Sequence, residues 1–553
     1  MPRLKLPDSA GRWLAEGRRP YLWIAVLGLV VYFRALFFGF VYFDDDRLIL
    51  QNFEQLSSLK NILGAFRTDM DWQSPGIYYR PLVTWSFMAD ALWSGKNPLG
   101  YHLTNLAIHL LASGLFLRLL LVLGFPRGIS FFFGSLFVCH PALAHAVAFI
   151  PGRYDTLLAV LSLGTAITFL RHPMSGPGFW VHVLLLAAAL FTKETALVLP
   201  AILLAGHLLT KGRRDWARVG RAAILWAIGL GAFLLLRWPV VRGASFQLNT
   251  PAENLAGLYG YLGKALFPLN LSVMPVPEDV NPAWGMAALA LLAGAALLGG
   301  IRRRGHFLLG ATWFLLFLAP TVVRALGFAY LLEQRLYLPL MGLFMMLMEL
   351  GALHRIARQR WARALAVAAV LLFAGLTFRH SSAFADDLSF WGNAARTSPH
   401  SHLAHSILGQ RLAAAQRWEE AEPELATAVR LRPEDPRLWH DLGLVQYQMG
   451  NYSPAAESFA QAIARDSLSA DFGLFLQLAR AQVKLERWGQ AESTLLRALA
   501  RDPGGAEPNN LLSYVYYRLG DRQRSLLHYR RSVAAGLPYD PRVEERISNP
   551  QGK

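Results

Sequence analysis

Three consecutive carboxylates, Asp44, Asp45 and Asp46, close the first long apolar stretch of the chain, in F-V-Y-F-D-D-D-R-L-I-L-Q-N. Adjacent carboxylates beside an apolar layer repel one another, which raises at least one pKa unless a cation or donor intervenes. A group of this kind can act as general base on a hydroxyl or bind a divalent cation. Acids that only mark the end of a spanning helix would look the same. Further on, Y-Y-R-P-L brings Arg80 to a helix start, where a guanidinium can meet a phosphate or pair with a loop carboxylate. Three more clusters follow. H-P-A-L-A-H-A-V-A-F-I-P-G-R-Y-D holds His140, His145, Arg153 and Asp155; F-T-K-E-T holds Lys193 and Glu194; L-L-E-Q-R-L-Y-L-P holds Glu333, Arg335 and Tyr337. His102 and His109 lie at the start of a further apolar run, with His109 placed to pack in its interior. Charges this close to an apolar layer are costly and are usually functional or paired. Around one cavity, Arg80, Arg153, Lys193 and Arg335 suit an anion at membrane level, such as a lipid phosphate. The alternative is internal pairing, Arg153 with Asp155 and Lys193 with Glu194.

The elements that must position these residues are membrane helices. Of the 553 residues, 54% are hydrophobic and 16% charged, with a mean hydropathy of +0.30. That is too apolar for an ordinary soluble enzyme. The lone Cys139 excludes a disulfide framework, a zinc finger and an iron–sulfur site. The net charge of +17 lies wholly in residues 1–380, which hold 34 basic and 17 acidic residues, whereas residues 381–553 hold 20 of each. A basic excess confined to apolar sequence orients loops in a bilayer, so nucleic acid is not expected as a partner.

Runs of about 20 apolar residues predict spans near 20–42, 102–123, 129–149, 154–170, 178–192, 195–210, 222–238, 284–300, 306–320, 336–353 and 362–379. No cleavage site follows the first, which reads as a retained helix. The basic connections 211–221, 301–305 and 354–363 alternate with long acidic ones near 43–101 and 239–283. The bias predicts a cytoplasmic N-terminus, with 13 of the 17 acids of residues 1–380 on the outer side. In the first outer loop, Leu56, Leu59, Ile62, Leu63 and Phe66 share one helical face, which predicts an amphipathic interfacial helix.

The tail is periodic. Gly409, Gly443, Ala479 and Ser513 are spaced by 34, 36 and 34 residues, and small residues recur twelve positions later at Ala421, Ala455, Ala491 and Ser525. Large residues follow at Leu425, Phe459, Leu495 and Tyr529. This is the tetratricopeptide pattern of paired helices, four units over 401–537, which stack into a surface able to hold a peptide or partner protein, or to serve as a spacer. The expected organisation is all-α: a polytopic helical domain over 1–380 with the outer loop 43–101, a linker at 381–400, the repeat solenoid, and a tail at 538–553. No G-x-x-x-x-G-K-[ST] or strand-linked G-x-G-x-x-G is present, so an activated donor must arrive attached to something the membrane holds.

The order F-D-D-x-x-x-I-x-x-N, Y-R-P-L, G-Y-H-L-T-N-L-A-I-H, H-P-x-x-x-x-A-V-A-x-x-x-G-R-x-D, K-E and R-L-Y-L-P-x-x-G, followed by such repeats, resembles the transmembrane-and-tetratricopeptide protein O-mannosyltransferases, and in particular their prokaryotic relatives. The resemblance runs over about residues 20–537. It implies a GT-C glycosyltransferase with a polyprenyl-phosphate sugar as donor, mannose or another hexose, and a protein Ser/Thr hydroxyl as acceptor, reacting with inversion. By position the family's acidic pair falls on Asp44 and Asp45, one of them the general base, with Asp46 an additional acid. Arg80, Arg153, Lys193 and Arg335 match charged motif positions and would stabilise the leaving phosphate. His102, Asp155, Glu194 and Tyr337 are further site candidates. His145 stands where animal members carry glutamate, which bears on the sugar or on a metal; no cofactor is certain, and a divalent metal is left open. The resemblance and the loop charges together favour a bacterial inner membrane with the repeats in the periplasm. Two other readings use the same sequence: this chemistry on a glycan or lipid acceptor, or an inactive membrane-anchored repeat scaffold that would tolerate replacement of Asp44 and Asp45.

Overall fold

The computed structural model describes residues 16–72, 76, 78–171, 176–210, 215–243, 251–269, 271–321, 331–465 and 472–548, with the side chains of 251–256 not included. Residues 211–214 of the basic connection 211–221 therefore lie outside the described residues. The chain divides into two compact units, Met1–Asn393 and Ala394–Lys553. Among the described residues the only β-pairing is one isolated bridge between Ile301 and Leu350.

Every apolar run expected to span contains a helix, but the helices differ in length. Among the described residues, five are long and apolar enough to cross a bilayer, Arg19–Phe37, Pro98–Val122, Trp216–Val241, Pro282–Gly299 and Ala362–Phe384, and a sixth results if the bent pair Arg127–Val138 and Pro141–Ala148 is one span. Others are short: Leu199–Thr210 and Tyr337–Met348 have 12 residues each, about 18 Å at 1.5 Å per residue. Eleven full spans are thus not reached by helix length. The outer helices present their large apolar side chains outward, with Leu297 85% and Leu298 86% exposed. Water would penalise such a surface and lipid would not. This is a multi-pass membrane protein.

Helix starts follow local chemistry. Pro98 and Pro282 stand in first turns, where a missing N–H costs nothing. Asn97 Oδ1 accepts from the Leu99 N–H at 3.1 Å, and Asn281 Oδ1 from the Ala283 N–H at 2.9 Å. The short helices Arg304–Leu318 and Tyr337–Met348 cross backbone to backbone, since a Cβ added at Gly310 would lie 2.7 Å from the Gly342 carbonyl oxygen. Small residues at such crossings replace the hydrophobic driving force that lipid removes.

The first outer loop departs from expectation. Instead of one amphipathic helix it forms the short helix Phe53–Leu56 and 3-10 turns Leu59–Asn61 and Gly64–Phe66. Ser57 and Ser58 interrupt the run, and the Ile62 carbonyl accepts from the Trp85 indole at 2.8 Å instead of closing a helical turn. The second long outer stretch, near 239–283, carries a helix, Pro251–Leu266. Residues 381–400, read as a linker, hold the helix Asp387–Thr397.

In the second unit, eight helices from His402–Ala414 to Arg522–Ala534 form four antiparallel pairs, closed by Pro541–Ser548. Ala421, Ala455, Ala491 and Ser525 are fully buried. A Cβ on Gly443 would meet the Phe459 ring at 2.7 Å, which is why a small residue recurs there. Each pair turns through a left-handed residue: Gln416, Gly450, Glu486 and Gly520 have φ of 60°, 83°, 56° and 82°. A side chain at such a residue costs about 1–2 kcal/mol, partly offset by the chain entropy glycine loses on folding. Gln416→Gly and Glu486→Gly should therefore each stabilise the array by about 0.5–1 kcal/mol, read as a raised unfolding midpoint of the full chain in detergent.

Candidate active site

The three adjacent carboxylates separate by environment. Asp45 is 1% exposed and clamps its own turn: Oδ2 accepts from the Val41 N–H at 2.7 Å, and Oδ1 from the Phe43 and Asp46 N–H groups at 3.0 and 3.1 Å. Burial pushes its pKa up and these donors oppose the shift. Asp46 accepts from the Gln51 amide at 2.9 Å on an exposed edge. Asp44 lies between them, half-buried, and no described residue donates a hydrogen bond to its carboxylate. Burial pushes Asp44 up to about 6, with Arg47 and Arg80 pulling it down and Asp45 and Asp71 adding to the rise. A carboxylate that titrates near neutrality and has open acceptor positions is equipped to take a proton. Arg47 in turn forms an ion pair with Asp71 across the loop.

The cations meet around one aromatic ring. Arg80 precedes the helix Pro81–Ser94 and pairs with Glu194 through Nη2 at 3.1 Å. Its guanidinium lies 4.8 Å from the centroids of both Tyr78 and Tyr154. Lys193 occupies the extended break between the helix Pro177–Thr192 and the 3-10 turn Glu194–Val198. Its Nζ pairs with Asp155 and stands 4.7 Å from the Tyr154 centroid. Glu194 is held below the ordinary carboxylate range, because the Arg80 charge outweighs the upward push of burial. The charges of Asp44, Asp155, Arg80 and Arg335 all act on the Tyr154 hydroxyl, which also accepts from the Gln334 amide. The structure thus brings Asp44, Arg80, Asp155, Lys193, Glu194 and Arg335 to one place. Within it, three cations, Arg80, Lys193 and Arg335, stand with three acids, Asp44, Asp155 and Glu194.

Other candidates lie elsewhere. Arg153 is fully buried. It pairs with Asp90 at 2.5 Å, donates Nε to Asn105 Oδ1 at 2.6 Å, Nη1 to the Ser86 carbonyl at 3.1 Å and Nη2 to the Tyr101 carbonyl at 2.8 Å. Its donors are spent on the fold, which removes it from the set facing an anion. Tyr337 is likewise buried, its hydroxyl 2.7 Å from His109 Nδ1 in the helix core. His102 packs edge-on to Phe38 with 6.3 Å between centroids. His145 packs against Phe149 and Phe384, on the side of a second charged cluster of Lys264, Glu333 and His380. Among the described residues, no group of three or more His, Cys, Asp or Glu side chains is arranged to hold a metal ion. Sequence reasoning missed Tyr154 as the hub, although G-R-Y-D places it between two residues already singled out.

Fold and site together define a multi-pass helical membrane protein with a buried carboxylate–cation cluster, followed by a tetratricopeptide array. Tetratricopeptide repeat family models match residues 408–474 and 476–541. Protein O-mannosyl-transferase Tmtc1 of Drosophila melanogaster is 35% identical over 190 residues, 33% of this chain and 22% of that protein. Protein O-mannosyl-transferase F38B6.6 of Caenorhabditis elegans is 25% identical over 463 residues, 78% of this chain and 65% of that protein. TMTC2 of Mus musculus is 32% identical over 155 residues, 27% of this chain and 18% of that protein. The chain is thus similar to protein O-mannosyl-transferases over part of their length, and its C-terminal part matches tetratricopeptide repeats. It spans less than two thirds of the length of these relatives.

Proposed function

We propose that the protein is a membrane glycosyltransferase that moves mannose or another hexose from a polyprenyl phosphate to a Ser or Thr hydroxyl of a protein, on the outer face of the membrane. The reading is carried by Asp44, a raised carboxylate with no hydrogen-bond donor among the described residues, beside the Arg80–Lys193–Arg335 cluster. The names of the relatives support the reaction class.

In this reading Asp44 takes the acceptor proton as the hydroxyl oxygen attacks the anomeric carbon. The sugar–phosphate C–O bond breaks on the opposite face, its electron pair passes to the phosphate oxygen, and the configuration inverts. Arg80, Lys193 and Arg335 stabilise the charge that grows on the leaving phosphate, where preorganised donors act most strongly. Asp45 holds the turn that aims Asp44. Asp155 and Glu194 hold Lys193 and Arg80 in place and limit the net positive charge. The repeats would present the acceptor from the periplasm of a bacterial inner membrane.

Lys193→Ala should lower kcat for transfer from polyprenyl-phosphate mannose by about 10²–10³-fold, measured in reconstituted vesicles. Equal kcat in variant and wild type would remove Lys193 from the phosphate site.

A further inference from the structure

The segment from Leu331 to Tyr337 is tied to five separate parts of the first unit. The Leu331 N–H donates to the Pro275 carbonyl at 2.8 Å, and the Tyr261 hydroxyl to the Leu332 carbonyl at 3.3 Å. Glu333 is fully buried and uses both oxygens. Oε1 accepts from Lys264 Nζ at 2.7 Å and from the Ser272 N–H at 2.8 Å, while Oε2 lies 3.2 Å from His380 Nε2. Burial pushes its pKa up, but Lys264 and His380 outweigh this and hold it at about 2, so it is ionised. The next residue, Gln334, donates to the Tyr154 hydroxyl. Arg335 acts on Tyr154 and Lys193, and Tyr337 ends the segment on His109.

A buried ion pair is weak as a source of stability, since an apolar pair of similar volume often serves as well. What a buried carboxylate offers is acceptor geometry. Here one group fixes the helix Pro251–Leu266, the non-helical stretch at Ser272 and the helix Ala362–Ser381 relative to one short turn. The next two residues, Gln334 and Arg335, then act on the carboxylate–cation site.

We propose that Glu333 is a positioning residue: its pairing with Lys264 and His380 fixes the Glu333–Leu336 turn so that Gln334 and Arg335 meet Tyr154. Glu333 itself touches no reacting atom. That the turn serves donor binding rests on the transferase reading above; that it sets the position of Tyr154 does not.

The test compares the full-length wild type, Glu333→Gln and Glu333→Gln/Lys264→Met in lipid nanodiscs. The double variant removes the buried unpaired ammonium and stands in if the single one does not fold. Amide exchange of peptides covering 331–337 and 150–157 should quicken together by about tenfold in the variants, the scale of losing one charged hydrogen bond, while the repeat helices keep wild-type exchange. Transfer from polyprenyl-phosphate mannose should show a raised donor KM with kcat changed less. Unchanged exchange at either peptide overturns the positioning role; quickened exchange with an unchanged donor KM upholds the positioning of Tyr154 and overturns its link to donor binding. If the wild type transfers no sugar, the transferase reading fails, and the exchange at 150–157 still decides whether Glu333 positions Tyr154.

Discussion

Asp44→Asn is expected to lower sugar transfer by about 10²–10⁴-fold, the usual contribution of a general base, and to leave the protein folded. No described side chain or backbone group depends on the Asp44 carboxylate for a hydrogen bond, so its loss does not unfasten the loop. Asp45→Asn should behave in the opposite way. Its carboxylate satisfies three backbone N–H groups, and an amide presents only one oxygen. The resulting buried donors should cost about 1–3 kcal/mol, seen as a lower unfolding midpoint. The pH profile gives an independent sign. A base must be deprotonated to act, and Asp44 titrates at about 6. kcat/KM should therefore fall about tenfold per pH unit below that value and level off above it. In Asp44→Asn this limb should vanish.

Arg153→Met should destabilise the membrane domain by about 3–5 kcal/mol, because it strands the buried Asp90 carboxylate. Both members are almost wholly inaccessible, with side-chain exposures of 0% and 2%. Asp90→Asn should cost a similar amount from the other side, leaving the guanidinium uncompensated. Replacing both with apolar residues should recover most of the loss, since the pair is more costly to break than to omit. The check is thermal unfolding of the four forms in one detergent. An Arg153→Met variant that folds like the wild type but binds donor weakly would return Arg153 to the phosphate site.

Arg153 also shows where sequence reasoning stops. Neighbours in sequence suggested the pairs Arg153–Asp155 and Lys193–Glu194. The actual partners are Asp90 for Arg153, Asp155 for Lys193, and Glu194 for Arg80. Residues two apart on a helix do not face each other, and both Arg153 and Asp155 lie on the helix Arg153–Arg171. Lys193 is extended while Glu194 opens a 3-10 turn, so their side chains diverge. Motif positions alone cannot separate a cation facing a cavity from one locked 63 residues away in sequence. The repeats were legible down to single residues because each helix pair meets only its neighbours, and the contact at Gly443–Phe459 recurs within one period. The three adjacent acids were legible as a group. Their division of labour was not, since it depends on which backbone N–H groups the turn at Val41–Asp46 aims inward.

In the proposed reaction, sugar transfer depends on Asp44 as the base. Wild type, Asp44→Asn and Asp45→Asn would be reconstituted in vesicles with polyprenyl-phosphate mannose and a periplasmic protein extract, and hexose on Ser or Thr read by peptide mass. Hexose is expected with the wild type, essentially none with folded Asp44→Asn, and residual transfer with Asp45→Asn in proportion to the protein still folded. Equal hexose from wild type and Asp44→Asn would contradict that role of Asp44.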